Sequence, residues 1–309
     1  MKGQKKGRVP TIIAIVSMVG FIAFTLALLY PVISDRWNRY RDSMLIDQYN
    51  HQMSVVQESH VSELWSAAEE YNKKIGHPGE AVVTLKEYDD SIEYEKLLDI
   101  SGNGMMGYIE IPSIDITEPI YHYSTDDSLS KGIGHIHGSS LPVGGETTHT
   151  ILTGHRGLPN QKFFSDLDKL EVGHKFYLHI LGRTLAYEID YSDEVYPSEV
   201  GSLLFDEGED KVTLITCTPY GVNTRRIVLT GARIPFDESN VDAKGLVTSE
   251  KHVIQFDPAT IVFFGFLAFL ILVMVIVLIG KIRKRRKSKT EDSAPDDGEE
   301  EPENKSDRS

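Results

Sequence analysis

The chain has 309 residues, a quarter of them charged, a formal net charge of −14 and one cysteine, Cys217. A lone cysteine excludes a fold held by its own disulfides, so stability must come from burial, and the length leaves room for one sizeable core. Half of the acidic excess sits in Glu291–Ser309, with nine acidic and two basic residues, and no basic patch of the nucleic-acid-binding kind appears outside the flanks of the apolar runs.

Residues 1–10, MKGQKKGRVP, carry four positive charges and no acid, and an almost wholly apolar run follows from Thr11 to Tyr30. About 20 residues rising ~1.5 Å each cross a hydrocarbon core. A signal peptide has similar flanks, but this run exceeds a usual apolar core and no small-x-small cleavage site precedes Pro31. The segment 11–33 is therefore read as a retained transmembrane anchor.

Segment 34–79 predicts one or two amphipathic helices. Trp37, Tyr40, Met44 and Leu45 recur at helical spacing, Val61, Leu64, Ala68 and Tyr71 repeat the pattern, and His77-Pro78-Gly79 ends it. A packing brace and a solvated hairpin fit this pattern equally. Segment 80–104 is the least regular and reads as a linker.

Strand patterns begin at 105. Met106–Ile120 predicts a strand pair that opens a sheet, with Pro112 ending the first strand. His135 and His137 share a face of a short extended segment and His149 lies near in sequence, but no carboxylate or cysteine joins them at ligand spacing, so no metal is expected. Ile151–Thr153 predicts a strand that runs into His155 between Gly154 and Gly157, and Phe163–Leu170 predicts a short helix. Lys175–Tyr191 predicts two strands joined near Gly182 and Arg183.

In Lys211–Arg233, Val212, Leu214 and Thr216 alternate with Thr213, Ile215 and Cys217, which places the thiol at a strand terminus. Pro219, Gly221 and Asn223 supply a turn, and a second strand carries Arg226. If these strands pair, Cys217 and Arg226 lie at one end of the sheet. Segment 237–258 is a polar tether. A second apolar run, 259–280, precedes KIRKRRKSK, and 281–309 forms a tail that is basic and then acidic, the acidic part composed like a disordered chain. Basic flanks mark cytoplasmic ends, so two spans put both termini inside and everything between them outside.

The chemistry of these residues converges. A thiol of pKa about 8.5 needs a nearby cation to become a nucleophile at neutral pH. Arginine supplies a permanent charge that can also hold an oxyanion, and histidine is the usual proton carrier to a leaving amine. Cys217, Arg226 and His155 are the candidates. Strand parity sends Arg225 to the opposite face from Arg226, and Arg156 away from the imidazole of His155.

TLITC at Thr213–Cys217 with TPYGVNTRR after it resembles the catalytic strand of the sortases, and LTGHRG around His155 resembles their histidine loop. MGYIEIP at Met106–Pro112 and KGIGHIHGSSLPVGG at Lys131–Gly145 resemble class C, the pilin-polymerising branch of Gram-positive bacteria. The resemblance covers Met106–Ile234 with its motifs in the family's order. It implies a mainly β fold, a closed sortase-type barrel at 105–236, with N-terminal helices and two flanking transmembrane helices. It also implies a Cys217 nucleophile that forms an acyl-thioester, His155 as general acid and base, and Arg226 as oxyanion or substrate stabiliser, all meeting at one mouth of the barrel.

Thr216 is a lesser candidate for positioning substrate. Class C sortases commonly carry a lid where 80–104 lies, anchored by Asp-Pro-aromatic; the nearest string here is Asp90, Ser91, Ile92, which lacks both proline and ring. The implied activity cuts a Leu-Pro-X-Thr-Gly-like signal between Thr and Gly and joins it to a pilin lysine, without a cofactor or nucleic acid, with pilin subunits and the lipid bilayer as partners. A housekeeping sortase that anchors proteins to peptidoglycan, and a non-catalytic membrane scaffold, are the alternatives.

Overall fold

A computed structural model of the chain describes residues 9–82, 94–158 and 161–236, with isolated helical positions at 265, 271, 275, 279 and 280. The lid candidates Asp90, Ser91 and Ile92, the tether, the tail and most of the second apolar run lie outside the described residues. Among the described residues one helix is long and apolar enough to cross a membrane, and it is near the N-terminus.

That helix, α1 (Val9–Val55), has 47 residues and runs unbroken through Pro31, so the apolar segment and the first amphipathic segment are one element. Its barrel-facing side differs from the expected one: Trp37, Tyr40 and Met44 are exposed, while Asp42, Ile46 and Tyr49 are buried. Both stripes keep a helical spacing, i, i+4, i+7 for the buried one and i, i+3, i+7 for the expected one; the buried stripe is rotated toward residues that find partners on the barrel. Helix α2 (Glu58–Ile75) follows, and it buries Ala68 and Tyr71 as expected, with Trp65, Asn72 and Ile75 beside them. It ends at Gly76, where an added Cβ would stand 2.6 Å from the Thr147 carbonyl oxygen. Only glycine fits so close an approach.

Eight strands form a closed barrel: β1 (Met105–Ile111), β2 (Ile116–Tyr121), β3 (Ile133–His135), β4 (Thr148–Thr153), β5 (Lys175–Ile180), β6 (Arg183–Val195), β7 (Asp210–Thr218) and β8 (Arg225–Ile234). Around the barrel they run β1-β2-β3-β4-β7-β8-β6-β5, and β1 pairs with β5 to close it. Closure leaves no strand edge open. Helix α3 (Asp126–Lys131) makes the crossover between the parallel strands β2 and β3, capped by the Thr125 hydroxyl. Phe163–Leu170, expected to be helical, forms turns and a single 3-10 turn at Leu167–Lys169, because Phe163 and Phe164 are drawn fully into the core.

Inside the barrel Leu152, Leu178, Leu185, Val212, Leu214, Ile227 and Leu229 belong to one apolar core. Strand β1 is buried at all seven positions rather than at alternate ones. The helices explain this. Ile46 and Tyr49 of α1 cover Met105, Tyr108 and Tyr121 on the outer surface, and the Tyr49 hydroxyl donates to the Met106 carbonyl at 3.2 Å while accepting from the Leu181 N–H at 2.7 Å. Asn72 of α2 clasps the backbone of Leu141 on both sides, at 2.7 and 3.0 Å. The helices are a packing brace.

Candidate functional site

Strands β4 and β7 lie parallel and adjacent, with Thr153 opposite Ile215. His155 lies two residues past that pair, in the loop that leaves β4 beside the strand ending in Cys217 and Thr218. On the other side of β7, Cys217 stands directly opposite Arg226 of β8. Two neighbouring strands thus pair Cys217 with Arg226, His155 sits in the loop that follows the adjoining β4, and all three residues are part-buried. Neighbouring strands are about 4.8 Å apart, within reach of these side chains.

The pair lies on the outer face of the sheet, not in the mouth of the barrel. Thr216 pairs with Ile227 and Leu214 with Leu229, and Ile227, Leu214 and Leu229 belong to the interior core. The opposite parity carries Ile215 and Val228, which pack outside against Val82, Phe205 and the flanking Ile136, Val195, Val200 and Leu203. Cys217 and Arg226 continue that outer face. An apolar floor therefore leads up to the thiol.

Each candidate is held locally. The Gly154 N–H donates to the Ile215 carbonyl at 3.2 Å, and the His155 carbonyl accepts from the Phe164 N–H at 3.2 Å. Thr216 is buried and its hydroxyl donates to the Gly154 carbonyl at 2.8 Å. Thr216 faces away from the thiol, and its hydroxyl holds the histidine loop. Arg226 donates from Nη1 to the carbonyls of Asn223 and Arg225, at 3.1 and 2.9 Å, which leaves other donors of its fork for a ligand. Arg225 turns to the other side, its guanidinium 4.8 Å from the ring centre of Tyr196. Arg156 bonds Asp168 and Thr218. Gly157 has φ +84°, and a side chain there would meet the exposed ring of Tyr220 at 3.2 Å.

The histidine trio does not form a cluster. His135 accepts at Nδ1 from the Tyr94 hydroxyl at 2.6 Å and donates from Nε2 to the Ser140 carbonyl at 2.8 Å, a tautomer fixed by its partners. Full burial lowers its pKa to about 3, so it is neutral. His149 spends both ring nitrogens on the Leu204 carbonyl and the Thr213 hydroxyl. Among the described residues no group of three or more His, Cys, Asp or Glu is arranged to hold a metal. Tyr94, which in the sequence merely flanks the lid string, anchors this region: its ring packs against His122, Tyr123, His135 and His137.

The sortase domain family matches residues 109–234. Sortase A of Bacillus anthracis is 30% identical over 127 residues, which are 41% of this chain and 59% of that protein. The chain thus spans less than two thirds of that relative's length. Among solved structures, sortase C1 of Streptococcus agalactiae is 41% identical with a TM-score of 0.60, covering 63% of this chain and 100% of the other. Streptococcus pneumoniae sortase C is 39% identical with a TM-score of 0.56, covering 62% of this chain and 97% of the other.

Proposed function

The chain belongs to the sortase family, and from that premise we propose that it is a class C cysteine transpeptidase that polymerises pilins. The Cys217 thiolate attacks the Thr-Gly carbonyl carbon of a Leu-Pro-X-Thr-Gly-like signal, and Arg226 holds the resulting oxyanion or the substrate backbone. His155 gives its proton to the departing glycine amine as the C–N bond breaks, which leaves an acyl-thioester on Cys217. A lysine amine of another pilin then attacks the thioester. Its proton passes to His155, the C–S bond breaks and an isopeptide bond forms.

The observation that carries this reading is the pairing of Cys217 with Arg226 across β7 and β8, with His155 in the loop that leaves the neighbouring β4 and is tied to β7 through Gly154. The partly exposed Ile136, Val195, Val200 and Leu203, which flank the buried apolar cluster on the thiol's face of the sheet, suit the Leu and Pro of such a signal. The pilin acceptor is favoured over a cell-wall amine by the likeness to sortases C, one of them studied for its pilin substrate specificity. The N-terminal apolar helix supports a membrane anchor with the barrel outside the cell and a cytoplasmic basic end.

Mass spectrometry of the detergent-solubilised chain mixed with Leu-Pro-X-Thr-Gly peptide tests the reading. A thioester adduct at Cys217, absent in Cys217→Ala, is expected, with transfer to a pilin lysine faster than to a short cell-wall amine. An adduct elsewhere, or pilin joining by Cys217→Ala, would overturn it.

A further inference from the structure

The backbone ladder from the histidine loop to β7 ends at the Gly154 N–H. His155 comes one residue later, and Gly157 two residues after that, so the local backbone has little stiffness of its own. What continues the attachment is a side chain. Arg156 donates from Nη1 to the Thr218 hydroxyl at 3.1 Å. On the near side, the Thr216 hydroxyl donates to the Gly154 carbonyl. The residues flanking the histidine are therefore tied, one to one, to the residues flanking the cysteine.

The far tie is built with a buried charge. The Arg156 side chain is 9% exposed and its other arm bonds Asp168 at 2.5 Å. Thr218, itself buried, holds its hydroxyl 3.5 Å from the Glu194 carboxylate, so the connection runs from the Leu167–Lys169 turn through Arg156 and Thr218 to β6. The Nε of Arg156 is buried with no partner among the described residues. An unmet buried donor is unfavourable, a penalty that a residue serving only to fill space would not carry.

We propose that Arg156 is a positioning residue for the transpeptidation: it locks His155 in register with Cys217, acting through Thr218. This rests on the thiol chemistry proposed above. Without the tie the imidazole is free to swing from the sulfur, while the apolar floor for the sorting signal is untouched.

Two variants test this in the full-length protein. Thr218→Val keeps the side-chain volume and the Arg156–Asp168 pair but removes the acceptor; Arg156→Gln removes both arms. Each is expected to slow single-turnover thioester formation by about tenfold or more, since small misplacements of a reacting group have effects of that size, with the KM for the peptide within about twofold of wild type. Arg156→Lys should recover only part of the rate, because a point charge cannot fork to Asp168 and Thr218 together.

A wild-type single-turnover rate in Thr218→Val would overturn the proposal, whether or not Arg156→Gln folds. So would a slow Thr218→Val whose loss lies in KM alone. A wild-type enzyme that forms no adduct would instead sink the underlying reading of Cys217.

Discussion

Replacing Asn72 by leucine isolates a hydrogen-bonded clasp from the packing around it, because the two side chains have similar volume. Asn72 is 3% exposed, and its amide accepts from the Leu141 N–H at 2.7 Å and donates to the Leu141 carbonyl at 3.0 Å. The two ends are not equal. The carbonyl also accepts from the Thr150 hydroxyl at 3.3 Å and keeps that partner, whereas the N–H belongs to a residue with no exposed surface and loses its own.

An orphaned buried donor costs about 1–3 kcal/mol and the second bond adds about 1 kcal/mol, so Asn72→Leu should lose roughly 2–4 kcal/mol. For a domain of this size about 2–4 °C is lost per kcal/mol, which puts the expected fall in Tm at roughly 4–16 °C. Thermal unfolding of the detergent-solubilised chain gives the global number, and native-state hydrogen exchange at the Leu141 amide gives the local one. A variant that melts within about 1 °C of wild type, with unchanged protection at Leu141, would refute the assignment of this clasp as what docks α2.

Tyr49→Phe should cost about 1–3 kcal/mol by stranding the buried Leu181 N–H, seen as a lower urea midpoint with an unchanged slope. His135 has its folded pKa lowered to about 3 by burial. The unfolded chain therefore takes up a proton that the folded chain refuses, and stability should fall as pH drops from about 6.5 toward 3, by at most ~1.4 kcal/mol per pH unit. Urea titrations at several pH values check this, and His135→Gln should flatten the slope. Glu118 behaves oppositely: burial first, then the nearby charge of Asp42, pushes its pKa up to about 8. The folded state holds that proton while the unfolded carboxyl has lost it, so stability should decline from about pH 4.5 to 8, and Glu118→Gln should remove the decline.

Much of the barrel was legible because its strands obey a period of two over interior positions such as Val212, Leu214 and Ile227. Pairing of Cys217 with Arg226 could be foreseen from a short turn between two patterned strands. Other features could not. The outer position of the thiol depends on which parity faces the core, and both faces here are apolar: Ile215 and Val228 look as core-like as Leu214 and Leu229. The buried side of α1 was misread for a related reason. Trp37, Tyr40 and Met44 are the more hydrophobic stripe, yet Asp42 is buried because Gln161 meets its carboxylate at 3.2 Å, across 119 residues of sequence. Strand parity set Arg156 aside as a catalytic cation and said nothing of its partners, Thr218 and Asp168, which only the closed fold brings to it.

The unbroken course of α1 has a mechanical consequence. The shaft that begins in the apolar segment ends in the turns that grip the barrel through Asp42, Ile46 and Tyr49, and Asp42 reaches Gln161, six residues after His155. Pro31, which lacks a backbone donor, is where such a helix can bend; otherwise the heading of the barrel follows that of the apolar segment. A foreign helix grafted in place of that first half would preserve the heading only when spliced in whole turns of about 3.6 residues; each residue out of phase would swing the barrel by about 100°.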